Sequence, residues 1–108
     1  LIVIVGNDGA WGTEVHDQRQ AIGRELNTRL GQLPYEKLAE AFGCIGLRAD
    51  SPETLDAALD SAVAADRPVL INALLDVDDG AALKSDPLLR MILFSDLAEG
   101  RRRLSPPD

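Results

Sequence analysis

The chain is short of positive charge, and this shortage excludes two classes of partner. Eleven basic residues stand against eighteen acidic ones, so the 108 residues carry a net charge of −7. Nucleic acids and anionic membrane surfaces are bound through basic surfaces. We therefore expect no nucleic acid and no membrane among the partners of this protein.

Long apolar runs and cysteines are also scarce. No run approaches the ~18 apolar residues of a membrane-spanning helix, and no basic region precedes the apolar N-terminus as it would in a signal peptide. The single cysteine, Cys44, cannot form an internal disulfide, and we interpret it as a small buried hydrophobic residue rather than a reactive thiol. A lone cysteine fits a reducing compartment, so we expect a cytoplasmic protein.

The first residue is not methionine, and it already belongs to a strand-like run. A length of 108 residues is enough for one compact domain and too short for two. A strand that begins at Leu1 without a preceding turn predicts that the chain is part of a longer protein.

Strand-like and helix-like segments alternate along the chain. Continuous apolar runs predict buried strands, covered on both faces, over residues 1–5 and 68–75, and a shorter strand over residues 44–49. Helical patterns lie between these strands. Strands that alternate with helices predict an α/β fold with a mostly parallel sheet and crossover helices.

Local signals indicate where the helices begin and end. Thr13 is predicted to cap a helix over residues 14–22, and residues 23–33 are predicted to be irregular. Pro34 is predicted in the first turn of a second helix that ends at Gly43. The apolar face of that helix is predicted to carry Tyr35, Leu38, Ala39 and Phe42.

The third helix has the strongest start signal in the chain. Ser51 is a hydroxyl N-cap, Pro52 occupies the first helical position, and Glu53 places an acid in the first turn. The stripe predicted to be buried consists of Leu55, Ala58, Leu59, Ala62 and Val63. The sequence Asp-Arg-Pro at residues 66–68 breaks this helix before the last strand.

The end of the chain differs in composition from the rest. An acidic linker leads to a helix that Asp86 and Pro87 begin, with a broad apolar face over residues 88–97. The basic run Arg101, Arg102 and Arg103 comes after this helix. We expect residues 1–78 to form the α/β unit and residues 79–108 to form a C-terminal helical extension.

The turn after the first strand is the candidate site. Ligands of parallel sheets bind at the carboxyl ends of strands, and the strand from Leu1 ends on Gly6, Asn7, Asp8 and Gly9. Asn, Asp and Gly also favour plain turns for local reasons. Two interpretations are therefore open from these residues, a simple turn and a ligand site.

The segments IVGNDGAWG and PVLINALLD resemble the C-terminal part of thiamine-diphosphate-dependent enzymes, in particular the acetolactate synthase, benzaldehyde lyase and 2-hydroxyacyl-CoA lyase group. The stretch NTRLGQLPYEKLAEAFGCIGLRADSPETLDAAL is similar to the corresponding stretch of those enzymes, and the resemblance covers residues 1 to about 78. It implies a partial thiamine-diphosphate-binding domain in an enzyme that makes or breaks a C–C bond next to a carbonyl.

The resemblance also implies which residues form the site. A Mg²⁺ ion that bridges the diphosphate would take the side-chain oxygen of Asn7 and the carbonyl of Gly9, while Ala10 and Trp11 would border the cofactor. Mg²⁺ prefers hard oxygen ligands, and a glycine makes the required tight turn inexpensive. Asp8 is interpreted as a turn acid rather than a ligand.

Part of the family's site is missing from this chain. No Gly-Asp-Gly half-motif precedes Asn7, and the glutamate that activates the cofactor lies in another domain of the family. The first Asn of the usual pair is Gly6 here. The resemblance therefore implies upstream domains of the same enzyme as partners, in a homodimer or homotetramer that shares its sites between subunits.

The extension favours one branch of the group. In the CoA-using branch a C-terminal extension closes over the active site, so Arg101, Arg102 and Arg103 are candidates for contact with an acyl-CoA substrate, and Trp11 for the substrate pocket. This favours a 2-hydroxyacyl-CoA lyase over an acetolactate-synthase-like carboligase or a 2-oxoacid decarboxylase. His16 is expected at the surface or at an interface rather than as a general base.

Two non-enzymatic interpretations stay open. The loop at residues 6–12 would bind phosphate through backbone N–H groups and a helix N-terminus, without a metal. Alternatively, the apolar helix at residues 88–97 would serve a non-catalytic interaction domain.

Overall fold

The computed structural model describes residues 1–79. The predicted C-terminal helix and the three arginines lie outside the described residues, so the expected extension at residues 79–108 stays a prediction. The described elements, in chain order, are β1 (Ile2–Asn7), α1 (Gly12–Ile22), α2 (Tyr35–Ala41), β2 (Ile45–Ala49), α3 (Pro52–Val63) and β3 (Val69–Leu74).

The three strands form one parallel sheet with the order β1-β3-β2. Residues of β1 and β3 pair from Ile2 opposite Val69 to Asn7 opposite Leu74. Because all strands run in one direction, the chain crosses the sheet through helices between strands. The predicted α/β class with a mostly parallel sheet and crossover helices is confirmed.

The two faces of the sheet are covered by different helices. Side chains alternate along a strand, so Val69 and Ile71 of β3 face α3, whereas Asn72 faces the side of α2. The apolar core on the α3 side consists of Ala49, Ala58, Ala62, Val69 and Ile71, with five partly buried neighbours around it. Burial of this apolar surface stabilises the packing of α3 on β2 and β3.

The third helix begins as the sequence predicts. The Ser51 hydroxyl accepts a hydrogen bond from the Thr54 N–H, the Thr54 hydroxyl accepts from the Ser51 N–H, and Pro52 occupies the first turn. This reciprocal capping box satisfies N–H groups that have no partner inside the helix. In the first helix the predicted Thr13 cap is wrong. The helix begins at Gly12, two residues earlier than predicted, and Trp11 is its N-cap, without a side-chain cap bond.

The predicted apolar face of α2 is correct at Ala39 and wrong at Leu38 and Phe42. Leu38 is 56% exposed and Phe42 is 79% exposed, whereas Glu36 is buried beside Ala39. The helix turns Glu36 inward because its carboxylate accepts a hydrogen bond from the buried Asn72 of β3. This polar contact, and not the period of the apolar residues, determines which side of α2 faces the sheet.

Two further burial predictions are also corrected. Strand β1 is not covered on both faces within the described residues: Ile2, Val3 and Ile4 are between 41% and 53% exposed. It lies at the edge of the sheet, and the helices α2 and α3 pack against β2 and β3 instead. Val63, at the end of the predicted stripe, is the last residue of α3 and is exposed.

A close approach between α2 and β2 depends on one glycine. A Cβ atom at Gly46 would lie 2.7 Å from the carbonyl carbon of Glu36 and would collide with its carbonyl oxygen. Only a residue without a side chain permits this distance. Gly46 therefore allows the start of α2 to lie directly on the sheet, where Glu36 reaches Asn72.

None of the helices among residues 1–79 is long and apolar enough to cross a bilayer.

Candidate functional site

The turn after β1 is built by two successive side-chain contacts to the backbone. The Asn7 Oδ1 atom accepts a hydrogen bond from the N–H of Gly9 at 3.1 Å, and Asp8 Oδ1 accepts from the N–H of Ala10 at 2.9 Å. Gly9 has φ = +68°, a conformation that glycine adopts readily. The tight turn predicted at Gly9 is therefore present.

The loop is held on its far side by residues 28–31. The N–H of Trp11 donates to the carbonyl of Thr28 at 2.8 Å, and Ala10 forms an isolated bridge with Arg29. The carbonyl oxygen of Gly9 accepts from the N–H groups of Leu30 and Gly31, at 2.8 and 2.9 Å. The segment predicted to be irregular thus supports the loop at residues 7–12.

Asp8 lies against the start of α1. A Cβ atom at Gly12 would collide with the Asp8 carboxylate, so the glycine leaves room for this acid at the helix N-terminus. A negative charge there is favourable, because the unpaired N–H groups carry partial positive charge. The observed role of Asp8 is local and agrees with its interpretation as a turn acid.

A buried polar network lies beneath the turn. The Asn7 side-chain N–H₂ donates to Asn72 Oδ1 and to the carbonyl of Leu33, each at 3.0 Å. The Asn72 N–H₂ donates to the same Leu33 carbonyl at 3.2 Å and to Glu36 Oε2 at 2.6 Å. Asn7, Asn72 and Glu36 are all buried, and they come from β1, β3 and α2.

The carboxylate of this network is stabilised in its charged form. The hydrogen bond from Asn72 lowers the pKa of Glu36 below its ordinary value, and this effect exceeds the opposing effect of burial. A buried polar group without a partner would destabilise the fold. Here each of the three side chains has a polar partner.

Of the two predicted metal ligands, Asn7 has an available oxygen. Within the described residues its Oδ1 accepts one hydrogen bond, from Gly9, although an amide oxygen can accept two. Both acceptor positions of the Gly9 carbonyl are engaged, so a metal bond to that oxygen would replace at least one of these hydrogen bonds. The donor set is thus one buried amide oxygen of the hard type that Mg²⁺ prefers.

Carboxylates do not add to this donor set. Residues 1–79 contain no group of three or more His, Cys, Asp or Glu side chains arranged to hold a metal ion.

Of the other predicted site residues, the structure describes Ala10 and Trp11. Ala10 is half-buried in the loop, and Trp11, which is 58% exposed, is the N-cap residue that precedes α1. Arg101, Arg102 and Arg103 lie outside the described residues. The loop thus brings together Asn7, Gly9, Ala10 and Trp11, and the structure does not relate them to the arginines.

His16 is buried rather than at the protein surface. Its Nε2 atom lies 2.6 Å from the carbonyl of Val77, so this nitrogen carries the proton and donates it to that carbonyl. The contact fastens the segment after β3 to α1. Sequence reasoning missed this role because Val77 lies 61 residues away along the chain.

An exposed ion-pair cluster reinforces the same attachment. Arg19 contacts both Glu25 and Asp78, and Arg29 contacts Glu25 at 2.6 Å. The hydrogen bond from Arg29, followed by that from Arg19, lowers the pKa of Glu25 to about 2. Exposed ion pairs add little stability individually, so we assign this cluster a supporting role.

The sequence that forms this parallel sheet and its Asn-Asp-Gly turn is similar to known proteins. Residues 1–73 match the sequence model of a family described as thiamine pyrophosphate enzyme, C-terminal TPP binding domain. The chain belongs to this family. Thiamine pyrophosphate is another name for thiamine diphosphate, so the resemblance seen in the sequence is confirmed at the level of the family.

The chain is also similar to a curated protein of known name. The chain is 33% identical over 88 residues to an acetolactate synthase of Bacillus subtilis (strain 168). The aligned region covers 82% of this chain and 15% of that relative. The chain therefore spans about one seventh of the length of the relative that it matches.

Sequence reasoning missed two residues of the cofactor-binding domain's polar network. Asn72 lies in the apolar run PVLINALL, and Glu36 lies in an amphipathic helix. The detectable signal was Asn72 itself, because a polar amide in a strand predicted to be buried needs a hydrogen-bond partner. Its partner was not identifiable from spacing, since Glu36 precedes it by 36 residues.

Proposed function

We propose that this chain is the C-terminal part of the cofactor-binding domain of a thiamine-diphosphate- and Mg²⁺-dependent enzyme that makes or breaks a C–C bond next to a carbonyl. The family match and the acetolactate synthase relative support the carboligase class. The observation that carries the proposal is the position of Asn7. It ends a parallel strand, and its side-chain oxygen is directed into the loop after that strand.

In this proposal the chain contributes binding and orientation. Asn7 Oδ1 would ligate Mg²⁺, and the Gly9 carbonyl would do so after releasing one of its two N–H donors. Ala10 and Trp11 would border the cofactor at the same loop. When bound, thiamine diphosphate supplies the electron sink for chemistry at a carbon next to a carbonyl.

The remaining parts of the enzyme are proposed to come from outside this chain. Upstream domains would supply the acidic half of the metal site and the glutamate that activates the cofactor. A homodimer or homotetramer would bring these domains together. The 15% coverage of the relative agrees with a protein of which this chain is one part.

The decisive experiment measures Mg²⁺-dependent cofactor binding in the complete enzyme. Mg²⁺ is titrated calorimetrically at a fixed, saturating thiamine diphosphate concentration, for the wild type and for Asn7→Ala. We expect the apparent Kd for Mg²⁺ to rise at least tenfold, since loss of outer partners of metal ligands already costs about 10- to 100-fold. Thermal unfolding without cofactor reports on folding separately.

The matched control is the neighbouring substitution Asp8→Asn. It keeps the acceptor for the Ala10 N–H and removes only a charge that the proposal does not place on the metal. We expect an unchanged apparent Kd. An Asn7→Ala enzyme that folds and binds Mg²⁺ as the wild type does would contradict the proposal and favour a phosphate-binding loop that works through backbone N–H groups.

A second candidate within the same class is a 2-hydroxyacyl-CoA lyase. It rests on the sequence of the extension, whose basic run Arg101, Arg102 and Arg103 suits the phosphates of CoA. Deletion of residues 83–108 should abolish turnover of CoA thioesters in the complete enzyme while cofactor binding persists. Unchanged turnover would exclude the proposed lid and leave the acetolactate-synthase-like carboligase.

A further inference from the structure

We propose that Asn72 and Glu36 are positioning residues that hold the Asn7 amide in the one orientation that presents its oxygen to a metal. The inference rests on the proposed function, because it assigns Mg²⁺ to Asn7 Oδ1. Glu36 accepts a hydrogen bond from Asn72, and Asn72 in turn contacts Asn7 and the Leu33 carbonyl. These contacts lie beneath the turn that follows β1. Both residues therefore act on the site through Asn7.

Two groups that can only accept hydrogen bonds fix the orientation of the Asn72 side-chain amide. The Glu36 carboxylate and the Leu33 carbonyl both face the side-chain N–H₂ of Asn72, at 2.6 and 3.2 Å. An ionised carboxylate and a carbonyl have no proton to donate. The Asn72 amide therefore has its nitrogen toward α2 and its oxygen toward β1.

The same logic transfers the orientation to Asn7. Its N–H₂ faces two acceptors, Asn72 Oδ1 and the Leu33 carbonyl, both at 3.0 Å. A reversed Asn7 amide would place oxygen against these two oxygens and N–H₂ against the N–H of Gly9. All three contacts would become repulsive, so Oδ1 faces the loop.

Burial strengthens the preference of both amides for this one orientation. Asn72 is fully buried and Asn7 is 5% exposed, so water does not compete for their hydrogen bonds. Partners behind a metal ligand orient it and influence metal affinity. Glu36 thus supports Asn7 through two successive hydrogen bonds, from Asn72 to Glu36 and from Asn7 to Asn72. We call these two bonds the relay.

The test compares three variants of the complete enzyme by calorimetric Mg²⁺ titration at saturating thiamine diphosphate. Asn72→Asp opposes two carboxylates across the 2.6 Å contact, and we expect the apparent Kd for Mg²⁺ to rise by about 10-fold or more. Glu36→Leu removes the acceptor without adding charge and should raise Kd in the same direction. The double variant Asn72→Asp/Glu36→Gln exchanges donor and acceptor in the contact between positions 36 and 72. An oxygen of the carboxylate introduced at position 72 still faces the Leu33 carbonyl, so we expect part of the lost affinity to return.

A separate variant controls for loss of stability alone. Ser51→Ala weakens the cap of α3 and leaves the relay untouched. Thermal unfolding of each apo variant is measured beside the Mg²⁺ titration. A merely structural role would lower the unfolding temperature of the relay variants without changing the Kd for Mg²⁺, and we expect that behaviour only for Ser51→Ala.

The outcomes separate this inference from the function on which it rests. Wild-type Mg²⁺ affinity in Glu36→Leu and in any Asn72→Asp enzyme that folds would overturn the positioning role, provided that Asn7→Ala loses affinity. Wild-type affinity in Asn7→Ala itself would overturn the proposed function first. Failure of the double variant to recover affinity over Asn72→Asp would contradict the donor–acceptor relay.

Discussion

The side-chain N–H₂ of Asn7 donates a hydrogen bond of 3.0 Å to the side-chain oxygen of Asn72, across 65 residues of sequence. The bond joins the last residue of β1 to the buried interior of β3. It links the turn that we propose to hold Mg²⁺ to the centre of the sheet. The geometry of the turn therefore depends on packing beneath it as well as on its own residues.

A substitution at Gly46 tests the close packing of α2 on the sheet. We expect Gly46→Ala to reduce the free energy of unfolding by about 1–3 kcal/mol, because the new methyl group would collide with the Glu36 backbone. Chemical denaturation of the complete enzyme measures the loss. The matched control is Gly6→Ala, whose Cβ would meet only the movable tip of Leu75 at 3.0 Å. Equal losses for the two variants would contradict this account of the contact.

The α3 cap gives a second stability test. Ser51→Ala removes the acceptor for the Thr54 N–H, and we expect a loss of about 1 kcal/mol. Ser61→Ala on the same helix is the control, since that exposed hydroxyl bonds only the Ala57 carbonyl of the preceding turn. We expect little or no loss there. Urea unfolding of both variants, in parallel with the wild type, decides whether the cap acts as described.

Glu25 makes the stability of the fold depend on acid pH. Its folded-state pKa of about 2 lies below the ordinary value, chiefly because Arg29 donates to it. A lowered folded-state pKa adds stability above the unfolded-state pKa, and this stability disappears as pH falls toward the folded-state value. We expect the advantage of the wild type over Glu25→Gln to be full near neutral pH and to vanish between about pH 5 and pH 2.

Salt provides the control for this pH effect. The cluster is exposed, so about 1 M salt should shrink the difference between the wild type and Glu25→Gln at neutral pH. Denaturation curves at several pH values and two salt concentrations measure both effects. A difference that grows on acidification would contradict the assignment of the ion pairs.

His16 tests the attachment of the segment after β3. His16→Phe removes the donor to the Val77 carbonyl, and we expect a loss of about 1 kcal/mol together with faster amide exchange at residues 76–79. Arg19→Gln is the comparison, because it breaks only the exposed pair with Asp78 and the contact with Glu25. A larger effect on exchange from Arg19→Gln would show that the ion pairs, and not the buried histidine, hold this segment.

Much of the fold was predictable from local sequence. The apolar runs placed β2 and β3 to within a residue, and Ser51, Pro52 and Glu53 marked the start of α3. The tight turn at Gly9 was recognisable from residues 6–12, and the family was recognisable from segments spread over residues 1 to about 78. Within each segment, these features depend on residues only a few positions apart, so they can be predicted from local composition and from the spacing of apolar residues.

Only the tertiary structure decided which side chains meet. It placed β1 at the edge of the sheet, turned Glu36 inward while Leu38 and Phe42 face solvent, and brought Asn72 beneath Asn7. The sequence by itself determined the α/β elements and the tight turn after β1. The partners of that turn depended on strand order and register, because hydrogen bonds between residues 26 to 65 positions apart form only after the strands and helices have packed together.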